Sequence, residues 1–328
     1  MISRRSFSAA LLAGFAAPFV RRAAAQETGE VRAALQGMAQ LHSLQVRLGD
    51  ELVFAEAPRG PGLDRAANIK SCSKSIVALL LGTAIDRGEI VGVDARLGDV
   101  APDIIPADAT EGVADITMED LVTLRAGLES TSGANYGGWV ASGDWIADAL
   151  TRPMVARPGG RMIYSTGTTH VLGAALTAAT GDSLLDLARD RLGSPLDIDF
   201  APWVRGPQGY FLGGNEMSLT PRAMLRIAVL MRDNGRYGDA QIIPADWIAA
   251  SSIPRTQSPY SGLDYGYGWF LSQSGYVMAR GYGGQVIAAH PERGLAVAIT
   301  SDPTRPARSE GYFGELMRLL EGPVLSLS

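Results

Sequence analysis

The chain has 328 residues, 46% of them hydrophobic, and carries 34 acidic against 29 basic side chains, a formal net charge of −5 at pH 7. That length suits one large or two interleaved domains around a sizeable core, and the acidic balance argues against nucleic acid as a partner. A single cysteine, Cys72, excludes an internal disulfide.

Residues 1–25 read as a leader rather than as part of the fold. Ser3-Arg4-Arg5-Ser6-Phe7 has the twin-arginine pattern, residues 8–20 are apolar, and Ala23-Ala24-Ala25 before Gln26 offers a small-residue cleavage site. The apolar stretch is too short to span a bilayer comfortably. The expectation is a periplasmic or secreted protein with no stable membrane span once the leader is cut. The cut would remove Arg4, Arg5, Arg21 and Arg22 and take the net charge to −9.

Residues 42–48 and 51–57 predict two strands around a Gly49-Asp50 turn. After a Pro/Gly-rich connection comes Asn68-Ile69-Lys70-Ser71-Cys72-Ser73-Lys74, which runs into an almost wholly apolar helix ending at Gly88. A helix apolar all round belongs in the middle of a core, with Ser71 at its first turn. Thr117-Met118-Glu119-Asp120 predicts another helix start, and residues 126–143, rich in Gly and Ser, read as a loop. Further helices are expected at 144–150, 168–180, 183–191, 221–234 and 244–252. Strands are expected at 267–271, 276–280, 285–289 and 295–300, and a closing helix at about 309–321. Strands at both ends and helices between them predict an α/β (α+β) fold: one antiparallel sheet built from both chain ends, flanked by helices, with a mostly helical insert. The corresponding domains are 26–87 with 221–328, and 88–220.

Lysine occurs only twice, at Lys70 and Lys74, both beside Ser71. Arginine stays protonated at neutral pH, whereas a buried lysine can give up its proton. Lys74 follows Ser71 by three residues, which on a helix puts both side chains on one face. A serine beside a titratable base can act as a nucleophile. A free lysine titrates near pH ~10.4, so burial, the positive helix end and, to a lesser degree, Lys70 one turn away are the expected sources of a lower value.

Four blocks in this order carry a resemblance: Ser71-Cys72-Ser73-Lys74; Thr117-Met118-Glu119-Asp120 through Gly127-Leu128; Pro158-Gly159-Gly160-Arg161-Met162-Ile163-Tyr164-Ser165; and Gly281-Tyr282-Gly283-Gly284-Gln285. Together they resemble the class C β-lactamase-like, penicillin-binding-like serine hydrolases. The Tyr-Gly-Tyr-Gly-Trp run at 265–269 and the Gly-Gly-Gln ending are most similar to the 6-aminohexanoate-dimer hydrolase-like and family VIII esterase-like branch. The resemblance implies Ser71 as nucleophile, Lys74 as base or proton relay, and Tyr164 as the phenol that passes a proton to the leaving group. It places Tyr282 and Thr166 at substrate-binding positions and implies a covering loop that carries Tyr136. The Gly283-Gly284 pair suits close approach to a substrate, and a backbone N–H near Gly284 would complete an oxyanion hole with that of Ser71.

Two departures bear on the substrate. The usual Tyr-x-Asn is Tyr164-Ser165-Thr166 here, and the late motif, which usually opens on Lys or His, opens on Gly281. Loss of that cation weakens recognition of a β-lactam or peptide carboxylate. The expected function is therefore hydrolysis of a small-molecule ester or amide through an acyl-enzyme, with no cofactor and no metal. The alternatives are a β-lactamase or D-Ala-D-Ala carboxypeptidase, and a non-catalytic binding module of the same fold. His42, His170 and His290 are too scattered for a metal set and read as structural.

Overall fold

The computed structural model describes residues 16–328, with side chains from residue 27 onward. The twin-arginine pattern at 3–7 lies outside the described residues. The first helix, α1 (Ala16–Gly37), runs through the expected cut after Ala25 and buries Val31 and Leu35 against the sheet.

Eight antiparallel strands form the sheet. Two come from the N-terminal side, β1 (Leu41–Leu48) and β2 (Glu51–Glu56). A two-residue pair, β3 (Ala67–Asn68) with β4 (Ser218–Leu219), stands apart from it. The rest of the sheet is β5 (Thr256–Gln257), β6 (Asp264–Tyr265), β7 (Phe270–Leu271), β8 (Val277–Gly281), β9 (Gln285–His290) and β10 (Leu295–Ser301). The strand order is β2-β1-β10-β9-β8-β7-β6-β5. The chain ends therefore meet at the β1–β10 seam, where Val46 pairs with Val297, and the antiparallel sheet from both ends is borne out.

Side-chain alternation explains why β9 and β10 are apolar throughout. Val286, Ala288, Val297 and Ile299 face α1 and the last helix, α5 (Tyr312–Leu319). Ile287, Ala289, Ala296 and Ala298 face the central helices α2 (Ser73–Asp86), α3 (Thr166–Thr180) and α4 (Pro221–Arg232). Alanine dominates the second face because a helix lies close on it. Helix α4 begins with Thr220, whose hydroxyl accepts from the Ala223 N–H, and with Pro221 at its first position. In α2, every residue from Ser73 to Ala84 is buried. Truncating one of its leucines to alanine would cost about 2–5 kcal/mol.

Some elements differ from expectation. Residues 126–143 are not all loop: a short helix, Tyr136–Val140, forms because fully buried Trp139 anchors it against Trp145 and His170. Of the strand expected at 267–271 only β7 (Phe270–Leu271) forms, since the Gly266 N–H donates to the Trp269 carbonyl and closes a turn between β6 and β7. The 183–191 helix covers Leu184–Ala188 and then widens into a π turn. The helix start expected at Thr117 is present, capped reciprocally by Thr117 and Asp120, but the helix has only five residues, Met118–Val122. Among the described residues no single helix is long and apolar enough to cross a membrane.

Candidate active site

Ser71 sits in a 3₁₀ turn, Lys70–Cys72, that leads into α2, so it lies just ahead of the α-helix rather than inside it. The turn is built by distant partners. Lys70 takes a left-handed φ of 52°, its N–H donates to Asn68 Oδ1 at 2.8 Å, and its Nζ pairs with Glu216 Oε1 at 3.0 Å. Asn68 Nδ2 donates to the other Glu216 oxygen, and Ser73 Oγ donates to the Lys70 carbonyl at 2.6 Å. A non-glycine residue held at positive φ costs on the order of 1–3 kcal/mol, which these bonds offset. Lys70 is thus turned onto Glu216, away from the role of a charge stacked one turn below Lys74.

Lys74 is 3% exposed. Its Nζ lies 2.7 Å from the Gly214 carbonyl, 3.2 Å from Thr166 Oγ1 and 3.3 Å from Ser71 Oγ. Among the described residues no carboxylate joins this set, and burial pulls the lysine pKa down from 10.5 to about 7. Thr166 is fixed at the start of α3 by Ser132, whose Oγ accepts from the Thr166 N–H at 2.9 Å and lies 3.0 Å from its hydroxyl. Thr166 therefore holds the lysine from a buried position. A neutral amine has two N–H groups and one lone pair. With Gly214 O and Thr166 Oγ1 taking the two hydrogens, the lone pair is left for Ser71.

Tyr164 presents its ring to Lys74, with Nζ 5.0 Å from the centroid. Burial raises the phenol pKa to about 12, against an opposing hydrogen-bond interaction with Ser71. The phenol is protonated at neutral pH. Two neighbours of one hydroxyl are thus pushed in useful directions, an amine able to accept a proton and a phenol able to give one.

Ser71 and Tyr164 open onto a cavity of about 720 Å³ whose walls include Phe270, Arg280, Tyr282 and Phe313. Gly281 also lines it, but Gly283 and Gly284 do not. The N–H of Gly284 is donated to the Gly281 carbonyl at 3.1 Å, closing a turn, so it is not a free oxyanion donor. This corrects the expectation for the glycine pair. Its glycines are needed for the turn, where Gly284 has φ 90° and a Cβ would lie 2.6 Å from the Tyr312 ring. At Gly281 a Cβ would come 2.3 Å from the Ile69 carbonyl. Any side chain there collides with the nucleophile turn, so the missing Lys or His is a steric matter as well as an electrostatic one.

Tyr136 does not line the cavity. Its hydroxyl accepts from Asn215 Nδ2 at 2.9 Å, which ties it to the segment whose Gly214 carbonyl holds Lys74. His170 is buried among tryptophans and depressed to about 4 by burial, His290 Nε2 meets the Ser274 carbonyl, and His42 lies against Gly60. Cys72 is sealed beneath the turn and burial pushes its thiol up, leaving it unreactive. Among the described residues no three His, Cys, Asp or Glu side chains converge as a metal site. Sequence reasoning missed Gly214, Ser132 and Arg280. A lone arginine in an apolar strand is the one signal the sequence offers, and it points to Arg280.

Comparison with known proteins bears on the family and the fold. The Beta-lactamase family model matches residues 32–319. No curated protein sequence matches the chain. Among solved structures, EstCE1, a hydrolase with promiscuous acyltransferase activity, superposes with a TM-score of 0.75 at 16% identity, covering 94% of this chain and 100% of that one. A Bacillus anthracis protein regarded as a 6-aminohexanoate-dimer hydrolase gives 0.74 at 15% identity, covering 88% and 79%. A family VIII carboxylesterase gives 0.72 at 16%, covering 93% and 97%. At such identities the structures establish a shared fold, and the resemblance read from the four sequence blocks is borne out at that level. With the family model matched over most of its length, the chain belongs to the beta-lactamase family of serine hydrolases.

Proposed function

We propose that the protein hydrolyses small-molecule esters or amides through an acyl-enzyme on Ser71. The observation that carries this reading is the buried amine of Lys74, 3.3 Å from Ser71 Oγ, with acceptors for both its hydrogens and, among the described residues, no carboxylate to keep it charged. Ser71 Oγ attacks the carbonyl carbon while its proton passes to Lys74 Nζ. The oxyanion is held by backbone N–H groups of Ser71 and of Tyr282, the residue that follows β8 on the cavity wall. The carbonyl–heteroatom bond then breaks, and the protonated phenol of Tyr164 supplies the leaving group's proton. Lys74 returns the proton it holds to Tyr164. Water enters, loses a proton to the same base and attacks the acyl carbon; the Ser71 Oγ–carbon bond then breaks, Lys74 returns the proton to Ser71 Oγ, and the acid is released. Export by way of the residue 3–7 pattern belongs to the same proposal.

The test is to expose the mature protein to a p-nitrophenyl ester, a chromogenic cephalosporin and a fluorophosphonate probe. Ester turnover and probe labelling should both disappear in Ser71→Ala. Cephalosporin turnover without ester turnover would replace this reading with a β-lactamase or carboxypeptidase, and no response to any reagent would leave a binding module.

A further inference from the structure

We infer that Arg280 recognises a carboxylate on the substrate, so that the preferred esters or amides carry an anionic group beside an apolar body. The inference rests on the acyl-enzyme reading of Ser71 and adds the substrate class to it.

Strand geometry aims the side chain. In β8, Val277 and Ala279 point into the core shared with α2, whereas Met278 points to the other face. Arg280 shares the Met278 face and comes at the strand's end, where the cavity begins. There its guanidinium carbon lies 3.2 Å from the Phe313 ring centroid and 5.1 Å from that of Phe270. Two aromatic faces fix the group and strip water from its flat sides, but they supply no acceptor for its N–H fork.

Among the described residues Arg280 has no ion pair and no hydrogen bond. The buried arginines are treated differently: Arg191 is held by Glu89 and Arg232 by Asp233, each through two nitrogens. None of the Arg280 nitrogens is sealed off in the interior, so its donors open to the cavity. The one acid on the cavity wall, Glu310, is exposed at the rim beside Arg308 and makes no ion pair with Arg280. Burial lowers the Arg280 pKa to about 10, which leaves a full positive charge at pH 7 without a counter-ion. A planar fork of this kind matches a carboxylate in bidentate geometry. Phe270, Phe313 and Tyr260 line the same space for an apolar body.

The experiment compares p-nitrophenyl pentanoate with the half-ester mono-p-nitrophenyl glutarate, which has the same chain length and one added carboxylate. The native protein should favour the half-ester in kcat/KM, and Arg280→Met should reduce that preference by about ten- to hundredfold. Arg280→Lys should recover part of it. A native protein without the preference, or an Arg280→Met variant that loses both substrates in equal proportion, would overturn the inference in favour of a purely packing role. Calorimetry on Ser71→Ala keeps the two proposals separable. N-butylsuccinamate should bind more tightly than N-butylbutanamide, and Arg280→Met should abolish the difference whether or not the native protein turns over esters. Equal binding of the two amides would overturn the Arg280 role while leaving Ser71 chemistry untouched.

Discussion

Lys74 and Arg280 bring positive charge toward the same nucleophile from opposite faces of the sheet, and they are surrounded in opposite ways. The Lys74 side is closed: three oxygens of Gly214, Thr166 and Ser71 lie within 3.3 Å, and almost none of the residue is exposed. The Arg280 side is open: aromatic rings clamp the guanidinium, and its donors have no partner among the described residues. A cation whose neighbours are complete in its neutral state is suited to moving protons. One that cannot become neutral, and whose neighbours are incomplete, is suited to receiving an anion.

The largest effect is expected at the closed side. Lys74→Arg keeps a charge but removes the base, so acylation should fall by about 10²- to 10⁴-fold. In the native protein kcat/KM should rise with pH through about 7, because below that value the amine holds its proton and cannot accept another. The variant should show no such rise. Stopped-flow acylation with a p-nitrophenyl ester between pH 5 and 9 reads both, and near-native acylation in Lys74→Arg would end the distinction between the two cations.

Tyr164→Phe should have a smaller and more selective effect. It removes the proton donor for the leaving group, about 100-fold in a step that needs one. A p-nitrophenolate departs as an anion, so the aryl ester should lose less than an alkyl ester or an amide of the same acid. Equal losses on aryl and alkyl substrates would assign Tyr164 to positioning Ser71 and Lys74 rather than to protonating the leaving group.

How much of this site can be seen in the sequence depends on how local its causes are. The Ser71–Lys74 spacing is legible because three residues bring two side chains together without help from the rest of the chain. The apolar run of α2 likewise announces its burial. Lys70 is misleading for the opposite reason: its left-handed φ and its Glu216 partner depend on a segment 146 residues away. Gly281 reads as a lost cation, yet the Ile69 carbonyl that excludes a side chain there is visible only when β8 is packed against the turn. Gly284 looks free to donate until the turn consumes its N–H. The oxygens around Lys74 come from three separate stretches, and no pattern of residue types marks a backbone carbonyl such as that of Gly214.

The smallest expected effect isolates the cause of the Lys74 shift. The linear sequence makes Lys70 a like charge one turn away, which would lower the Lys74 pKa. In the fold, burial alone lowers it, and Lys70 is spent on Glu216. Lys70→Gln therefore should leave the kinetic inflection at about 7. The Lys70–Glu216 pair is about one-fifth to one-quarter exposed, so its loss should lower stability by only about 0–1 kcal/mol, read as a small change in the denaturation midpoint. An inflection that moves upward in Lys70→Gln would show that the second lysine helps to keep the first one neutral. The closed side would then owe its chemistry partly to charge, and its difference from Arg280 would be one of degree.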